Sequence, residues 1–342
     1  KKPSVTVKDG ENLLAVGTDY SFVYSDNINA GTGKVTITGK GNYTGTKVLN
    51  FTINKRAITV KASDGTKTYD GAALTNAAVT LTEGTLVSGQ SLTATATGSI
   101  TNVGSTANTV SSAVVKSGTT DVSGNYTITK TNGTLTVNKR TLTVKAEAKS
   151  KTYGAGDPGL TYTYSNQVSG QTPKFSGALS RDAGENVGTY EIKQNTLALA
   201  DNSPFLANNY TLAYTGANLT INKAATATAA AADKTYNGAS QTGVTGSYVS
   251  WANSTTGIDA GSYTAIATPD ENHAWSDGTT AAKSITWTMS AKEVAVTWGT
   301  TIFTYNGSAQ GPTASAESGV TGETINITRT TGTNAGSYTS TA

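Results

Sequence analysis

The stretch that decides the fold reads Leu135-Thr136-Val137-Asn138-Lys139-Arg140-Thr141-Leu142-Thr143-Val144. Apolar side chains alternate with threonine on both sides of its polar centre, which is the pattern of half-buried β-strands. The apolar positions are odd-numbered before the centre and even-numbered after it. Because successive side chains of a strand point to opposite faces, one continuous strand cannot bury both sets against one core. The stretch therefore predicts the last strand of one β-domain, a polar hinge of three or four residues, and the first strand of the next domain.

The same junction occurs twice more along the chain. It reads Phe51-Thr52-Ile53-Asn54-Lys55-Arg56 in the first case and Leu219-Thr220-Ile221-Asn222-Lys223-Ala224 in the second. The junction asparagines Asn54, Asn138 and Asn222 are 84 residues apart at each step. This period is too long for a solenoid repeat of about 20–50 residues. Each repeat is therefore expected to carry its own core.

Three shorter motifs divide the chain into five repeats. A Thr-Tyr step followed by glycine recurs in the last four repeats, an Asn-Tyr-Thr step in the first three and a Gly-x-Tyr step in the last three. They predict boundaries at 1–54, 55–138, 139–222, 223–291 and 292–342. The first repeat lacks the Thr-Tyr step and the last stops just after Gly336-Ser337-Tyr338. We therefore expect the first repeat to be truncated at its N-terminal side, the last at its C-terminal side, and the chain to be a piece of a longer array.

The fold class expected is all-β, with small β-sandwiches in tandem. About seven short strands in 84 residues, separated by Asp-Gly and Asn-Gly turns, suit a two-sheet sandwich of the immunoglobulin general type. Hinges of a few residues leave neighbouring domains little room to fold back. At ~3.3 Å per strand residue, four to five domains end to end predict a monomeric, elongated rod of very roughly 150 Å.

The composition excludes several functional classes. With Cys 0 and His 1, the chain has no zinc finger, iron–sulfur site, disulfide scaffold or histidine cluster, so no metal site and no cofactor is expected. There is no apolar run near 18 residues, so no membrane span is predicted. A net charge of +3 without a basic block does not favour nucleic acid as a partner.

Acid pairs such as Asp182 with Glu185 have no recurring context, so no catalytic residue and no enzyme is predicted. A weak calcium site from turn carboxylates and a Lys–Asn crosslink stay open.

The recurring tyrosines are interpreted as structural. Each is expected to pack at a sandwich corner with its hydroxyl on a backbone group, just before a tight turn that requires glycine. Stacking on a sugar ring is the alternative. The residues concerned are Tyr69, Tyr153, Tyr236 and Tyr305, with the turn glycines Gly71, Gly238 and Gly307. The Asn-Tyr-Thr steps fit the N-glycosylation pattern, yet their fixed place in each repeat favours an asparagine that starts a strand and a tyrosine that fills the core.

The tryptophans mark one region of the chain. All four lie within residues 251–298, at Trp251, Trp275, Trp287 and Trp298. Trp287 and Trp298 alternate with other apolar residues and are predicted to lie in the core. Trp251 and Trp275 stand in turn-rich sequence, so they are the candidate contacts to a carbohydrate or protein, with a core position as the alternative. His273 replaces the tyrosine of the Asn-Tyr-Thr step and is expected to be structural.

These motifs resemble a known family of repeats. The steps Lys67-Thr68-Tyr69-Asp70-Gly71 and 151–158, together with the Asn-Tyr-Thr steps and the junctions, are similar to the YDG and MBG ("mostly beta, glycine-rich") repeats of large bacterial surface proteins. Residues 29–45 look like a related Ig-like repeat. The resemblance implies an Ig-like or MBG-like repeat at 1–54, a YDG/MBG-like repeat at 55–138 and an MBG-like repeat at 139–222. The shorter, Trp-containing repeat 223–291 and the repeat 292–342 depart from it and are expected to be Ig-like.

The resemblance implies a protein that is extracellular, at the bacterial cell surface or secreted. We expect a non-catalytic stalk or adhesion segment of an adhesin that projects or presents a binding domain. A second hypothesis is a module centred on repeat 223–291 that binds a host or matrix glycan or a surface protein. A third is an accessory β-sandwich region of a secreted polysaccharide-acting enzyme.

Overall fold

The regular secondary structure of the described residues consists almost entirely of short β-strands. A computed structural model describes residues 1–339 and contains, within them, 34 strands and two 3₁₀ turns, Ser123–Asn125 and Ala207–Asn209, but no α-helix. The predicted all-β class of small sheets is confirmed. Two compact units are present. One joins Lys1–Val144 with Thr163–Ala178 and Thr196–Thr215, and the other joins Lys145–Tyr162 with Leu179–Asn195 and everything from Gly216 onward. This division runs through residues 139–222, so the five repeat boundaries stay a prediction, and the residue ranges are used only to name parts of the chain.

Residues 1–54 form an antiparallel meander. Their strands are β1 Lys8–Asp9, β2 Asn12–Leu13, β3 Tyr20–Ser25, β4 Gly31–Gly39 and β5 Thr46–Ile53. Strands β3, β4 and β5 pair in sequence order, and β1 pairs with β2. Tyr20 and Val35 are the buried apolar side chains here.

Residues 55–138 form three sheets of three strands. The strands are β6 Arg56–Ala62, β7 Gly65–Thr68, β8 Val79–Glu83, β9 Gln90–Ala96, β10 Gly104–Asn108, β11 Val110–Ser117, β12 Thr120–Asp121, β13 Tyr126–Thr131 and β14 Gly133–Asn138. The sheet orders are β13-β6-β8, β12-β11-β9 and β10-β14-β7. Alternate residues Ile58, Val60 and Ala62 of β6 are buried in the core, as the period of two requires.

Residues 139–222 contribute strands to both compact units. The strands are β15 Arg140–Ala146, β16 Lys149–Thr152, β17 Tyr162–Ser165, β18 Lys174–Ser176, β19 Ser180–Arg181, β20 Gly188–Lys193, β21 Ala198–Ala200, β22 Tyr210–Thr215 and β23 Ala217–Asn222. They pair as β17-β15-β22, β18-β21 and β16-β23-β20-β19.

Residues 223–339 lie in the second unit. The strands of residues 223–291 are β24 Ala224–Ala231, β25 Lys234–Thr235, β26 Gln241–Thr242, β27 Val244–Ser247, β28 Val249–Asn253, β29 Thr256–Gly257, β30 Gly261–Pro269, β31 His273–Trp275 and β32 Lys283–Ser290; beyond them lie β33 Val296–Trp298 and β34 Ala314–Ala316. The sheet orders are β27-β24-β31, β25-β32-β30-β28, β26-β29 and β33-β34. Trp287 and Met289 of β32 are fully buried with Val244 and Ala265.

Residues 135–144 show the predicted change of phase, but the hinge at their centre is shorter than predicted. Leu135 and Val137 before the centre and Leu142 and Val144 after it are all buried. Only Lys139 lies between β14 and β15, however, and only Lys223 lies between β23 and β24. The expected hinge of three or four residues was therefore too long, because the flanking polar residues belong to the strands.

Candidate functional site: the junctions between repeats

The strand topology brings two motifs of each repeat to its two ends. Strand β13 is parallel to β6 with Tyr126 opposite Arg56, so the Asn-Tyr-Thr step lies where the chain enters this repeat. Strand β7 is parallel to β14 with Thr68 opposite Asn138, so the Thr-Tyr step lies where the chain leaves it. The same parallel pairings link β24 to β31 and β25 to β32. The exit motif of one repeat therefore meets the entry motif of the next.

An asparagine side chain holds the first of these junctions with two hydrogen bonds. The backbone N–H of Ala30 donates to Oδ1 of Asn125 at 2.7 Å. The Nδ2 of Asn125 donates to Oδ1 of Asn29 at 3.0 Å. Both the acceptor and the donor of this carboxamide are thereby used by the preceding repeat. We call this pair of bonds the asparagine clasp.

The asparagine clasp recurs at the next two junctions. The bond to the asparagine oxygen runs from Val103 N–H to Asn209 Oδ1 at 2.9 Å in the second junction. In the third it runs from Val187 N–H to Asn272 Oδ1 at 2.8 Å. The bond from the asparagine nitrogen runs from Asn209 Nδ2 to Asn102 Oδ1 at 3.0 Å in the second junction. In the third it runs from Asn272 Nδ2 to Asn186 Oδ1 at 3.2 Å. Three junctions with one geometry indicate a built contact.

Local sequence explains both halves of the asparagine clasp. Asn125 and Asn209 each close a 3₁₀ turn immediately before a strand, so each stands just outside the start of that strand. The receiving side reads Asn-Ala-Gly or Asn-Val-Gly. Gly104 has a φ of +143°, a conformation that residues with a Cβ rarely adopt. This glycine turns the backbone so that the preceding N–H faces the next repeat.

A tyrosine contact accompanies the asparagine clasp between residues 55–138 and 139–222. The buried Tyr69 ring lies edge-on to Tyr210, with ring centroids 5.5 Å apart. Gln171 links the two hydroxyls, since its Nε2 donates to Tyr69 at 2.8 Å and its Oε1 accepts from Tyr210 at 2.7 Å. Tyr210 also accepts the N–H of Val168 at 3.1 Å. The hydroxyl of Tyr69 therefore bonds a side chain of the next repeat rather than the expected backbone group.

The other recurring tyrosines occupy related but different surroundings. Tyr153 lies edge-on to His273 at 5.2 Å, so the histidine takes the place of Tyr210 at that junction. His273 is buried, with Nδ1 2.6 Å from Asp270 Oδ1. The hydroxyl of Tyr236 donates to the carboxylate of Glu323, and this bond, together with desolvation, raises the pKa of Tyr236. Tyr305 is 68% exposed.

The turn glycines adopt the predicted conformation. Gly71, Gly238 and Gly307 have φ values of +82°, +79° and +75°. A Cβ at Gly71 would lie 3.0 Å from Val168, and one at Gly238 would lie 2.2 Å from Val320. At both places the absence of a side chain also leaves room for a valine of the following repeat.

The Asn-Tyr-Thr asparagines differ in their availability for a sugar. Asn209 is 1% exposed and both ends of its carboxamide are hydrogen-bonded, whereas Asn42 is exposed. A glycan on Asn209 would have to break the asparagine clasp. The structural interpretation of this motif is therefore favoured at Asn209.

The candidate ligand contacts Trp251 and Trp275 pack inside the second unit. Trp275 is buried and its Nε1 donates to the carbonyl oxygen of Ala281 at 2.7 Å. Trp251 is half-buried against this cluster. Trp287 is buried, as expected, and stacks on Tyr263 at 4.5 Å, while Trp298 is half-buried. Contact of Trp251 or Trp275 with a ligand stays a prediction.

Lys151 belongs to a network of four charged side chains, with Asp157, Arg181 and Glu185. Its side chain is 4% exposed, and its Nζ lies 2.7 Å from Asp157 Oδ1 and 2.6 Å from Glu185 Oε2. Arg181 pairs with the other oxygen of Asp157 at 2.8 Å. Hydrogen bonds from Arg181 and Lys151 lower the pKa of Asp157 to about 2, and the bonds that Lys151 donates to the two carboxylates raise its own pKa. The amine therefore stays protonated, which makes it a poor nucleophile for a crosslink to Asp157.

The family comparison agrees with the sequence motifs. Residues 142–220 match the model of the MBG domain (YGX type), which confirms the predicted resemblance for this part of the chain. A search of curated proteins found no match. Among residues 1–339, no cluster of His, Asp and Glu suited to a metal ion is found, and no helix is long and apolar enough to cross a membrane.

Solved structures of repeated extracellular domains are weakly similar to the chain. The protocadherin GammaB4 extracellular domain is 12% identical, with a TM-score of 0.23, and domains 4–9 of the surface layer protein SbsC are 14% identical, also at 0.23. In both cases the match covers 86% of this chain and 63% of the other. The eight N-terminal Ig domains of Down Syndrome Cell Adhesion Molecule are 10% identical at a TM-score of 0.17, with coverage of 90% and 52%. The chain thus spans less than two thirds of each of these structures, and similarity at this level carries no functional argument.

Proposed function

We propose that the chain is a non-catalytic stalk or adhesion segment of a large bacterial extracellular surface protein, and that it holds a binding domain away from the cell. The observation that carries this proposal is the asparagine clasp, which occurs at three successive junctions. A chain of independent domains on loose tethers has no need of one repeated junction geometry. A stiff segment that has to fix the position of a domain at its end requires such a repeated geometry.

The covalent linkers support the same function. One residue, Lys139 or Lys223, separates the strands at two of the junctions, and two residues, Asn54 and Lys55, separate them at the first. A linker of this length restricts bending, and the asparagine clasp and the tyrosine contact restrict rotation further. Stiffness is obtained without cysteine, since the chain has Cys 0.

The match of residues 142–220 to an MBG domain supports an extracellular location. The sequence motifs of that segment resemble repeats of bacterial surface proteins. In this proposal the segment is a monomer, and the partner, a host or matrix glycan or a surface protein, is bound by the domain that the stalk presents.

Small-angle scattering of the full chain tests the proposal. The expected particle is elongated, with a maximum dimension of very roughly 150 Å. A compact globule would refute it. The triple variant Asn125→Ala, Asn209→Ala, Asn272→Ala is expected to give a broader distribution of dimensions, because all three clasps are removed. Asn208→Ala is the matched control, since Asn208 is the exposed neighbour of Asn209 in the same turn.

A further inference from the structure

The first and last runs of strand in residues 55–138 lie side by side from one end of the repeat to the other. The first run is β6 followed by β7, and the last run is β13 followed by β14. Strand β13 is parallel to β6 over six residue pairs, and β14 is parallel to β7 over four. Partners are 70 positions apart in both ladders, from Tyr126 opposite Arg56 to Asn138 opposite Thr68. The two runs therefore keep one register from the entry of the repeat to its exit.

Further contacts close the gap between the two ladders. The N–H of Thr134 donates to Oδ1 of Asp64 at 2.7 Å, and these residues are again 70 positions apart. A Cβ at Gly133 would lie 2.4 Å from a carbonyl oxygen of β6, so the absence of a side chain lets the runs touch where each passes from one sheet to another. The carboxylate bridge recurs in residues 223–291, where Thr288 N–H donates to Asp233 Oδ1 at 2.7 Å.

The same parallel contact closes the exit of three repeats. Strand β14 is parallel to β7, β23 to β16, and β32 to β25. In each case the N–H of the Thr-Tyr tyrosine donates to the carbonyl oxygen of the last residue of the final strand, at 2.8, 2.8 and 2.9 Å. These bonds run from Tyr69 to Asn138, from Tyr153 to Asn222 and from Tyr236 to Ser290.

Tension along the chain acts on the two runs in opposite directions. The chain enters the repeat at the start of β6 and leaves it at the end of β14. A pull therefore draws the first run toward the entry and the last run toward the exit. Because the runs are parallel, they separate only by sliding along each other, and the ladder bonds connect them across that direction. All these bonds carry the load together, whereas the bonds of a strand peeled from its end break one after another.

Buried side chains oppose the same sliding. Ile58 and Val60 of β6 and Leu135 and Val137 of β14 are all buried in the core. Because side chains alternate between the two faces of a strand, a slip of one residue turns a buried set toward solvent. No adjacent register is therefore available to catch a run that has begun to slide.

We propose that residues 55–138 form a force-bearing clamp, in which the parallel first and last runs resist tension applied along the chain. Residues 139–222 and 223–291 repeat the contact at their exits. This function goes beyond the proposed stalk, which requires an elongated shape but no resistance to force. Its measure is the lifetime of the folded repeat under load, which depends on the rate of unfolding and not on the free energy of unfolding alone.

Two pulling directions on the full chain test the clamp. The chain has Cys 0, so two introduced cysteines define where optical tweezers apply the force through DNA handles. Lys55→Cys with Lys139→Cys loads the two runs in shear. Ala73→Cys with Lys139→Cys instead peels β7 from β14 at the exit. The three positions are exposed, so the handles leave the core unchanged.

The expected lifetimes separate the two directions. Complete extension releases about 300 Å of chain for the shear pair and about 240 Å for the peeling pair, which identifies each unfolding event. At one constant force, the repeat is expected to survive about tenfold longer in shear than in peeling, a difference of ~1.4 kcal/mol in the barrier to unfolding.

Two prolines in strand β7 test the ladder itself. The N–H of Tyr69 donates to β14, and backbone groups two residues apart face the same side of a strand, so the N–H of Lys67 also faces β14. Lys67→Pro removes this bond and is expected to shorten the shear lifetime about tenfold. Thr66→Pro is the matched control, because β7 is an edge strand and the Thr66 N–H faces away from β14. Lys67→Ala measures the separate loss of the ion pair with Asp70.

Two outcomes would overturn the proposal. They are a shear lifetime no longer than the peeling lifetime, and equal shortening of the shear lifetime by Lys67→Pro and Thr66→Pro. Should Lys67→Pro fail to fold, the two pulling directions still decide, since they leave the ladder intact. A short shear lifetime in a chain that scattering shows to be elongated would remove the clamp and keep the stalk. A compact particle with a long shear lifetime would do the reverse, so the two proposals fail independently.

Discussion

Replacement of Asn209 by alanine tests whether the asparagine clasp holds neighbouring repeats together. The substitution removes the acceptor of the Val103 N–H and the donor to Asn102, at 2.9 and 3.0 Å. It leaves the backbone of the 3₁₀ turn and the adjacent Tyr210 in place. The perturbation is therefore confined to the bonds between residues 55–138 and 139–222.

The expected cost follows from the burial of these groups. Asn209 is 1% exposed, and Val103 is half-buried. Loss of the partner of a partly buried N–H costs about 1–2 kcal/mol, since water reaches such a group only in part. A local opening easier by that amount corresponds to about a 5- to 30-fold change in its equilibrium constant.

Hydrogen exchange at Val103 measures this change directly. Its N–H is bonded to the Asn209 carboxamide, so exchange there reports the opening of the junction. We expect protection at Val103 to fall about 5- to 30-fold, while Val60 and Leu135 in the buried core of residues 55–138 keep theirs. Asn208→Ala should change neither. Unaltered protection at Val103, or an equal loss at the core amides, would refute the idea that Asn209 acts between repeats.

Further predictions concern the tyrosine contact, a glycine of the core and the charge network. Tyr69→Phe loses only the bond from Gln171, so guanidinium unfolding is expected to show a loss of about 0.5–1.5 kcal/mol; an unchanged midpoint would contradict this. Gly243→Ala places a Cβ 1.9 Å from the Trp287 ring, so overpacking should cost about 1–3 kcal/mol, and unshifted tryptophan emission and stability would count against it. The pKa of Asp157 is lowered from 3.8 to about 2, so its stabilisation is complete above pH 4 and is lost as the pH falls through about 2. Asp157→Asn should therefore reduce the fall of the urea midpoint between pH 4 and pH 2. An equal fall in the variant and in the unmodified chain would exclude a stabilising role of the Asp157 carboxylate.

The strands could be predicted from the sequence because their pattern is local. Leu135, Val137, Leu142 and Val144 alternate with threonine, and all four are buried as the change of phase requires. Polarity overestimates the length of the hinge, because a polar residue can belong to a strand. Asn138 and Arg140 are polar, yet they belong to strands β14 and β15, since a strand at the end of a domain has an exposed side.

The asparagine clasp could not be predicted from the motifs taken one at a time. The Asn-Tyr-Thr step predicts a strand start, and residues 29–31 belong to a longer Ig-like stretch that does not mark them out. Their meeting depends on the parallel pairing of β6 with β13, which brings Asn125 back to the entry of its repeat. Such a pairing joins residues about 70 positions apart, and no local pattern specifies it. The available indication was that both motifs recur in successive repeats.

The same topology explains why one tyrosine position serves both core and junction. Tyr210 begins strand β22, so its ring packs in the domain with Phe205 at 4.7 Å while its edge faces Tyr69 of the preceding repeat. Folding of residues 139–222 therefore builds the surface on which Tyr69 docks, and the junction needs no separate element. His273 occupies the same position one repeat later and keeps the edge-on contact with Tyr153. Because the edge-on contact is made by a tyrosine in one case and a histidine in the other, its geometry depends on the start of the strand and on the presence of an aromatic ring there.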